Sequence, residues 1–192
     1  MAMDETTKIL LESTDVYWAI QSASASIKKW SRQTGYYNNR FDSHFKGKLG
    51  ELAAEKYLLE KGYKLDSHFR FPDRENLSDL VIKIKRYTEV CRIEVKTWDA
   101  RYWFELGRCI AVEQYSDLKK KADVILWCVI DLKDVEMLLE NPKEVTVSLM
   151  GWSKIEEIAT ASVKDTGIGG MRKVKNYQLL ETNLHSISEF MS

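Results

Sequence analysis

The chain is poor in the residues that staple or break structure. Its 192 residues include three cysteines and two prolines. Cys91, Cys109 and Cys128 are far apart, odd in number and each set in an apolar context, and no CxxC occurs. This excludes a disulfide framework and offers no ligand spacing for zinc, so buried free thiols are expected. No apolar run approaches the roughly 20 residues that span a bilayer, so no membrane partner is expected. Net charge is absent too, since 29 basic residues balance 29 acidic ones. Bulk charge therefore excludes a chain that coats nucleic acid non-specifically, although it leaves room for a local basic surface. The stretch MAMDETTKILLESTD has acids early and no basic segment ahead of an apolar core. It does not read as a signal peptide, and a cytoplasmic location is expected. Repeats, low-complexity tracts and Pro- or Ser-rich linkers are also missing.

What is present is a globular composition, 44% hydrophobic and 30% charged, at a length suited to one domain with a terminal addition. Residues 5–33 lack Gly and Pro and carry Ile9, Leu10, Val16, Ile20 and Ile27, a pattern that predicts helix. The break at Ser13-Thr14-Asp15 would start a second helix, with Thr14 or Asp15 as its cap. Residues 34–45 read as irregular, and KGKLGELAAEKYLLEKG (46–62) as a helix stopped at Gly62. The one plausible boundary lies near residue 45, separating an N-terminal helical extension, 1–45, from a domain at 46–192. Residues 77–98 predict two strands joined by a turn within Lys85–Glu89. A hairpin folded about Arg86–Tyr87 sets Asp79 opposite Glu94 or Val95, roughly 5 Å across the pair. Further strands are expected at 107–115 and 144–152, with a short helix at 116–122 capped by Ser116 or Asp117. DVILWCVID (123–131) is the most continuous apolar run and predicts a central strand buried on both faces, in parallel pairing after a helical crossover. Ser153 and Glu156 stand at capping-box spacing and predict a helix from 153. A loop at 166–170, an edge strand at 176–180 and a final turn or helix in LHSISEFM complete the pattern.

Candidate chemistry centres on RIEVKTW (92–98). Ile93, Val95 and Thr97 take one side of this strand, and Arg92, Glu94, Lys96 and Trp98 the other. Glu51 falls near the helical stripe of Gly47, Gly50, Ala54 and Leu58. Glycines near a helix start weaken it, and close approach to a packed neighbour is the usual compensation. Taken singly, Glu51, Asp79, Glu94 and Lys96 read as solvated surface charges. As an ordered set they read differently. Converging carboxylates repel unless a cation neutralises them, and hard oxygen donors suit Mg²⁺ or Mn²⁺. A lysine two residues from a ligating acid can hold water or an anionic group beside the metal, as phosphodiester hydrolysis requires.

The order Gly47-x-x-x-Glu51 on a helix, Ser78-Asp79 at a strand start and Glu94-Val95-Lys96 on the next strand resembles the PD-(D/E)xK nuclease superfamily. That group includes restriction endonucleases, Holliday junction resolvases and RecB-type nuclease domains. The match covers roughly residues 46–131. It implies an α/β fold, a restriction-endonuclease-like mixed β-sheet core flanked by helices. It also implies Asp79, Glu94 and the Val95 carbonyl as metal ligands. Lys96 would orient or activate water, and Glu51 would support a second metal or a water. Ser78 stands where the family pattern has Pro, and the N-terminal segment lies outside the shared core. Gln114, in IAVEQYSDLKKKAD, is similar to a Gln that several branches place near the active site. It reads equally well as a solvent-exposed residue beside a helix cap.

The activity this implies is Mg²⁺- or Mn²⁺-dependent hydrolysis of DNA, leaving a 5′-phosphate and a 3′-hydroxyl. A homodimer that cuts both strands is one arrangement the resemblance allows. A nucleic-acid-binding or assembly module that no longer cuts, and an RNA-directed nuclease, stand as alternatives. Lys28, Lys29, Arg32, Arg40, Lys46 and Lys48 interleave with Trp30, Tyr36, Tyr37, Phe41 and Phe45 against a single acid, Asp42. Such a stretch suits phosphate contact and base stacking, or a loop anchored by its aromatics with its charges solvated. His44 could help at the metal, but reads first as a hydrogen-bonded loop histidine. Trp98, Tyr102, Trp103 and Phe104 are expected in the core, and Lys119–Lys121 on a solvated helix face.

Overall fold

Strand Val124–Ile130 has the composition of an element with no face turned to water, and the fold is arranged around it. The computed structural model describes residues 6–30, 40–71, 77–83, 90–166 and 174–190, without the side chains of 28–30 and 40. In chain order the elements are β1 (Thr7–Leu11), α1 (Ser13–Trp30), α2 (Arg40–Glu60), β2 (Lys64–Ser67), β3 (Leu80–Lys83), β4 (Val90–Asp99), α3 (Trp103–Leu106), β5 (Cys109–Ala111), α4 (Val112–Lys121), β6 (Val124–Ile130), α5 (Val135–Glu140), β7 (Val145–Lys154), α6 (Ile155–Ile158), β8 (Ser162–Thr166) and β9 (Val174–Gln178). Six strands form a mixed sheet in the order β1-β7-β6-β4-β3-β2, and β5-β9-β8 form a smaller one. Strands β4 and β6 run parallel, and their crossover carries α3, β5 and α4. The other neighbours in the large sheet are antiparallel. This is a mixed α/β architecture with helices flanking a mixed sheet. Among the described residues, no helix is long and apolar enough to cross a membrane.

The alternation of β6 explains why its sequence shows no alternation. Leu126, Cys128 and Ile130 enter a core shared with α1 and α2. Ile125 and Trp127 enter a second core with Trp103, Leu118, Ile155 and Leu179 on the opposite face. Each fully buried large side chain of this kind contributes about 1.5–3 kcal/mol. Both faces are covered, as parallel pairing in the middle of a sheet requires. Helix α2 packs through Phe45, Leu49, Leu52, Ala53 and Tyr57, all buried. It ends at Gly62, whose φ of +81° favours glycine. The N–H of Tyr63 returns to the Leu58 carbonyl at 3.1 Å and that of Gly62 to the Leu59 carbonyl at 2.9 Å, the paired bonds of a Schellman stop.

Several expectations need correction. Residues 7–11 are a strand, not helix. Ile9 and Leu11 are buried and Leu10 is exposed, the period of two set by antiparallel pairing of β1 with β7. Helix α1 is capped at Glu12, whose carbonyl accepts from Val16 N–H, while Asp15 reaches back to accept from Glu12 N–H at 3.0 Å. The boundary near residue 45 falls inside α2, and β1 belongs to the main sheet, so residues 7–30 are built into the fold rather than appended to it. Strand β5 stops at Ala111 and α4 begins there. Strand β7 runs on through Lys154, leaving α6 a single turn, with Glu157 rather than Glu156 accepting the cap N–H, that of Lys154 at 2.8 Å. Strand β9 lies between β5 and β8 and is not an edge. The loop expected at 166–170 lies mostly outside the described residues.

Strand β4 and helix α2 meet at Gly50. A Cβ there would stand 1.8 Å from Thr97 Oγ1 and 3.2 Å from Thr97 Cγ2, so only glycine allows this approach. Gly50→Ala is expected to lower unfolding free energy by about 1–3 kcal/mol in urea titrations. Adding Thr97→Ala should recover part of the loss. A Gly50→Ala protein as stable as the parent contradicts this contact.

Candidate functional site

Asp79 precedes β3 and is tied down from both sides. Its backbone carbonyl accepts from Phe69 N–H at 3.1 Å, and its Oδ2 accepts from Val95 N–H at 2.8 Å. Ser78 is buried, its hydroxyl donating to the Leu80 carbonyl at 3.2 Å, and its own carbonyl lies 3.1 Å from His68 Nδ1. The β3–β4 ladder pairs Leu80 with Ile93 and Lys83 with Val90. This is the register of a hairpin centred between Arg86 and Tyr87, which lie outside the described residues. Asp79 therefore meets the Glu94–Val95 step, as expected.

Strand β3 begins at Leu80, whereas β4 runs on to Asp99. Past Ile93, the edge of β4 on the β3 side is open among the described residues. This opening decides what can meet there. Helix α2 lies against the Val95–Thr97 face, as Gly50 on Thr97 shows. Lys46 Nζ also bonds Asp99 Oδ2 at 2.7 Å. Glu94 and Lys96 project from the other face. Glu51 thus reaches Asp79 and Glu94 around the open edge instead of across one surface. A cleft of about 370 Å³ lies there, lined among others by Gly47, Lys48, Glu51, His68, Asp79 and Lys121.

Lysines balance the acids. Lys96 Nζ donates to Glu94 Oε1 at 2.7 Å, and Lys121 Nζ stands 2.8 Å from Glu94 Oε2. Lys48 Nζ donates to Glu51 Oε2 at 2.6 Å. Burial resists ionisation of Glu94, yet Lys96 and Lys121 together hold it below the usual carboxylate range. Burial also opposes the charge on Lys96, but Glu94 and Asp79 outweigh it and hold its pKa above normal. Lys96 is therefore an ammonium, suited to orienting a water or phosphate oxygen rather than to accepting a proton. Asp79 is pushed up to about 6 by burial and the Glu94 charge. Glu51 is pushed up to about 8 by burial and Asp79, against the pull of Lys48.

This donor set suits a hard divalent cation. Glu94 raises Asp79 and both raise Glu51, a repulsion that added positive charge would relieve. A strand residue's carbonyl points to the same side as its N–H, so the Val95 carbonyl faces the open edge beside Asp79. In the side-chain arrangement described, no three of the described His, Cys, Asp and Glu residues are gathered to hold a metal. Lysines engage Glu51 and Glu94, and Val95 N–H engages Asp79.

The other sequence candidates are dispersed. Gln114 is exposed in the first turn of α4, seven residues or about 10 Å along the helix from Lys121, and does not line the cleft. Lys46 is buried, paired with Asp42 at 2.9 Å and with Asp99, so it fastens α2 to β4. Lys48 faces Glu51 in the cleft. Arg32 lies outside the described residues, as do the side chains of Lys28, Lys29 and Arg40. His44 lines the cleft. Trp103 is buried, Trp98 packs on the second core, and Phe104 is 75% exposed, contrary to a core position. Lys121 was expected on a solvated face with Lys119 and Lys120, yet it turns inward to Glu94. The parallel pairing of β4 with β6 carried the missing signal. Val124 sits opposite Ile93, so the residues just ahead of β6 must lie near Glu94. No protein-family model, curated protein or solved structure matches this chain.

Glu51 gives stability a particular pH dependence. Between its ordinary 4.5 and about 8, the folded chain keeps a proton that the unfolded chain releases. Stability from this group is complete at low pH and is lost as pH rises through that window. In EDTA, Glu51→Gln should exceed the parent in unfolding free energy by on the order of 2–4 kcal/mol at pH 8.5, and match it near pH 4. Urea titrations at the two pH values check this. A difference that is equal at both pH values contradicts the burial of an ionising Glu51.

Proposed function

We propose that the protein is a Mg²⁺- or Mn²⁺-dependent nuclease of the PD-(D/E)xK type that hydrolyses DNA, leaving a 5′-phosphate and a 3′-hydroxyl. The observation that carries this reading is the meeting of Asp79 and Glu94 at the open edge of β4, with Lys96 on Glu94 and Glu51 arriving from the opposite face. Asp79, Glu94 and the Val95 carbonyl would hold the ion, and Glu51 would hold a second ion or a water. A divalent ion bound there supplies charge that polarises a phosphoryl oxygen and acidifies water. The chain's own residues do the rest. Lys96, kept protonated by its acid neighbours, would orient the attacking water or steady the phosphate. The Asp79–Val95 N–H bond fixes one acid to the strand that carries the other, so their separation is set by the backbone. Lys48 and Lys121 border the cleft, where an anionic backbone would approach.

One observation favours a second reading. Glu51 and Glu94 already carry lysine partners, which lets the acids coexist without an ion. A nucleic-acid-binding or assembly module on this fold would need no more. Cleavage separates the two. Plasmid, linear duplex, single strand, branched junction and RNA, each with Mg²⁺ and with EDTA, form the test panel. The nuclease reading expects metal-dependent cleavage of DNA. It also expects Asp79→Ala, Glu94→Ala and Lys96→Ala each to lose at least about a hundredfold in rate, with unchanged circular dichroism. Cleavage of RNA alone would reassign the substrate. Cleavage of nothing, or cleavage indifferent to Asp79 and Glu94, would remove the proposal.

A further inference from the structure

Lys121 is the last residue of α4 and comes to Glu94 from outside the sheet. Glu94 is 4% exposed, so its charge depends on the two ammonium groups that meet its oxygens. Those two lysines are not equivalent. Lys96 stands two residues from Glu94 on the same strand, and neither of them lines the cleft. Lys121 lines it together with Glu51 and Asp79. Of the two lysines on Glu94, an ion entering through the cleft therefore meets Lys121, and its charge repels that ammonium across a few ångströms of partly dry protein. The count of charges points the same way. Once a bound ion keeps all three acids ionised, Glu51, Asp79 and Glu94 balance Lys48, Lys96 and Lys121, so the ion's own charge is an excess that a phosphate can neutralise.

We propose that Lys121 is a resident counter-ion of Glu94 that a divalent metal displaces, and that the displaced ammonium then turns into the cleft to bind the substrate's phosphate. This rests on the metal-site reading above. Lys121 thereby sets both the affinity for metal and its coupling to substrate. It acts as a positioning residue in the first role and contacts the phosphate in the second. A purely structural salt bridge behaves oppositely, because its removal loosens the site and weakens metal binding.

The test is Mn²⁺ binding to the full chain without nucleic acid, followed by calorimetry or by the loss of free-Mn²⁺ electron paramagnetic resonance signal. Lys121→Gln should bind Mn²⁺ more tightly than the parent by about fivefold or more. Lys121→Arg keeps the charge and should stay near the parent. Glu94→Gln should lose binding. In cleavage assays at saturating Mn²⁺, Lys121→Gln should raise KM more than it lowers kcat. Unchanged or weaker Mn²⁺ binding in Lys121→Gln, with Glu94→Gln still losing it, overturns the role of Lys121 and leaves the metal site standing. A parent that binds no Mn²⁺, or binding indifferent to Glu94→Gln, overturns both.

Discussion

Strand β4 is longer than the neighbour it shares a ladder with, and that mismatch governs the site. Beside β3 it is ordinary sheet, with Leu80 across from Ile93. Beyond that pair its backbone has an open side among the described residues, and Val95 N–H turns to the Asp79 side chain. A closed sheet would separate Glu51 on one face from Glu94 on the other by a layer of backbone. The open edge lets acids from α2, the approach to β3, and β4 itself feel one another's charge. The α2 end of this arrangement is fixed by contacts with no chemistry of their own. Gly50 lies directly on Thr97, and Lys46 is clamped to Asp99.

Acids brought this close, and this far from water, need compensation. The chain provides it unevenly. Glu94 has a lysine on each oxygen and stays ionised. Asp79 has the charge of Lys96 and one backbone N–H against burial and the repulsion of Glu94, and is held near 6. Glu51, paired with Lys48, is held higher still, near 8. Buried ion pairs contribute little net stability once desolvation is counted. A constellation like this costs the fold more than apolar side chains in the same places would, which fits a site kept for chemistry.

Much of this was legible in the sequence where local pattern and chemistry agree. The Asp79–Glu94 juxtaposition follows from strand alternation and the length of the intervening segment. The central position of Val124–Ile130 follows from its unbroken apolar run. The rest depended on tertiary pairing. Ile9 and Leu10 suit a helical wheel as well as a strand, and only the partner strand β7 decides between them. Lys46 carries the same charge as a phosphate-binding lysine until Asp99, 53 residues away, is placed beside it. Lys121 looks like its solvated neighbours Lys119 and Lys120 because sequence shows helix faces but not what each face meets. Glu51, Asp79, Glu94 and Lys96 were readable as residue types in order. The pairing of Lys48 with Glu51 and of Lys121 with Glu94 was not.

The proposed chemistry depends on whether the open edge of β4 takes a divalent ion. Crystals grown with Mn²⁺ and measured near the manganese absorption edge give the answer as an anomalous difference peak. The expected peak lies within coordination distance of the Asp79 and Glu94 carboxylates and the Val95 carbonyl, with Lys121 drawn away from Glu94. Full occupancy by Mn²⁺ elsewhere, or no peak while Lys96 and Lys121 still hold Glu94, would contradict it.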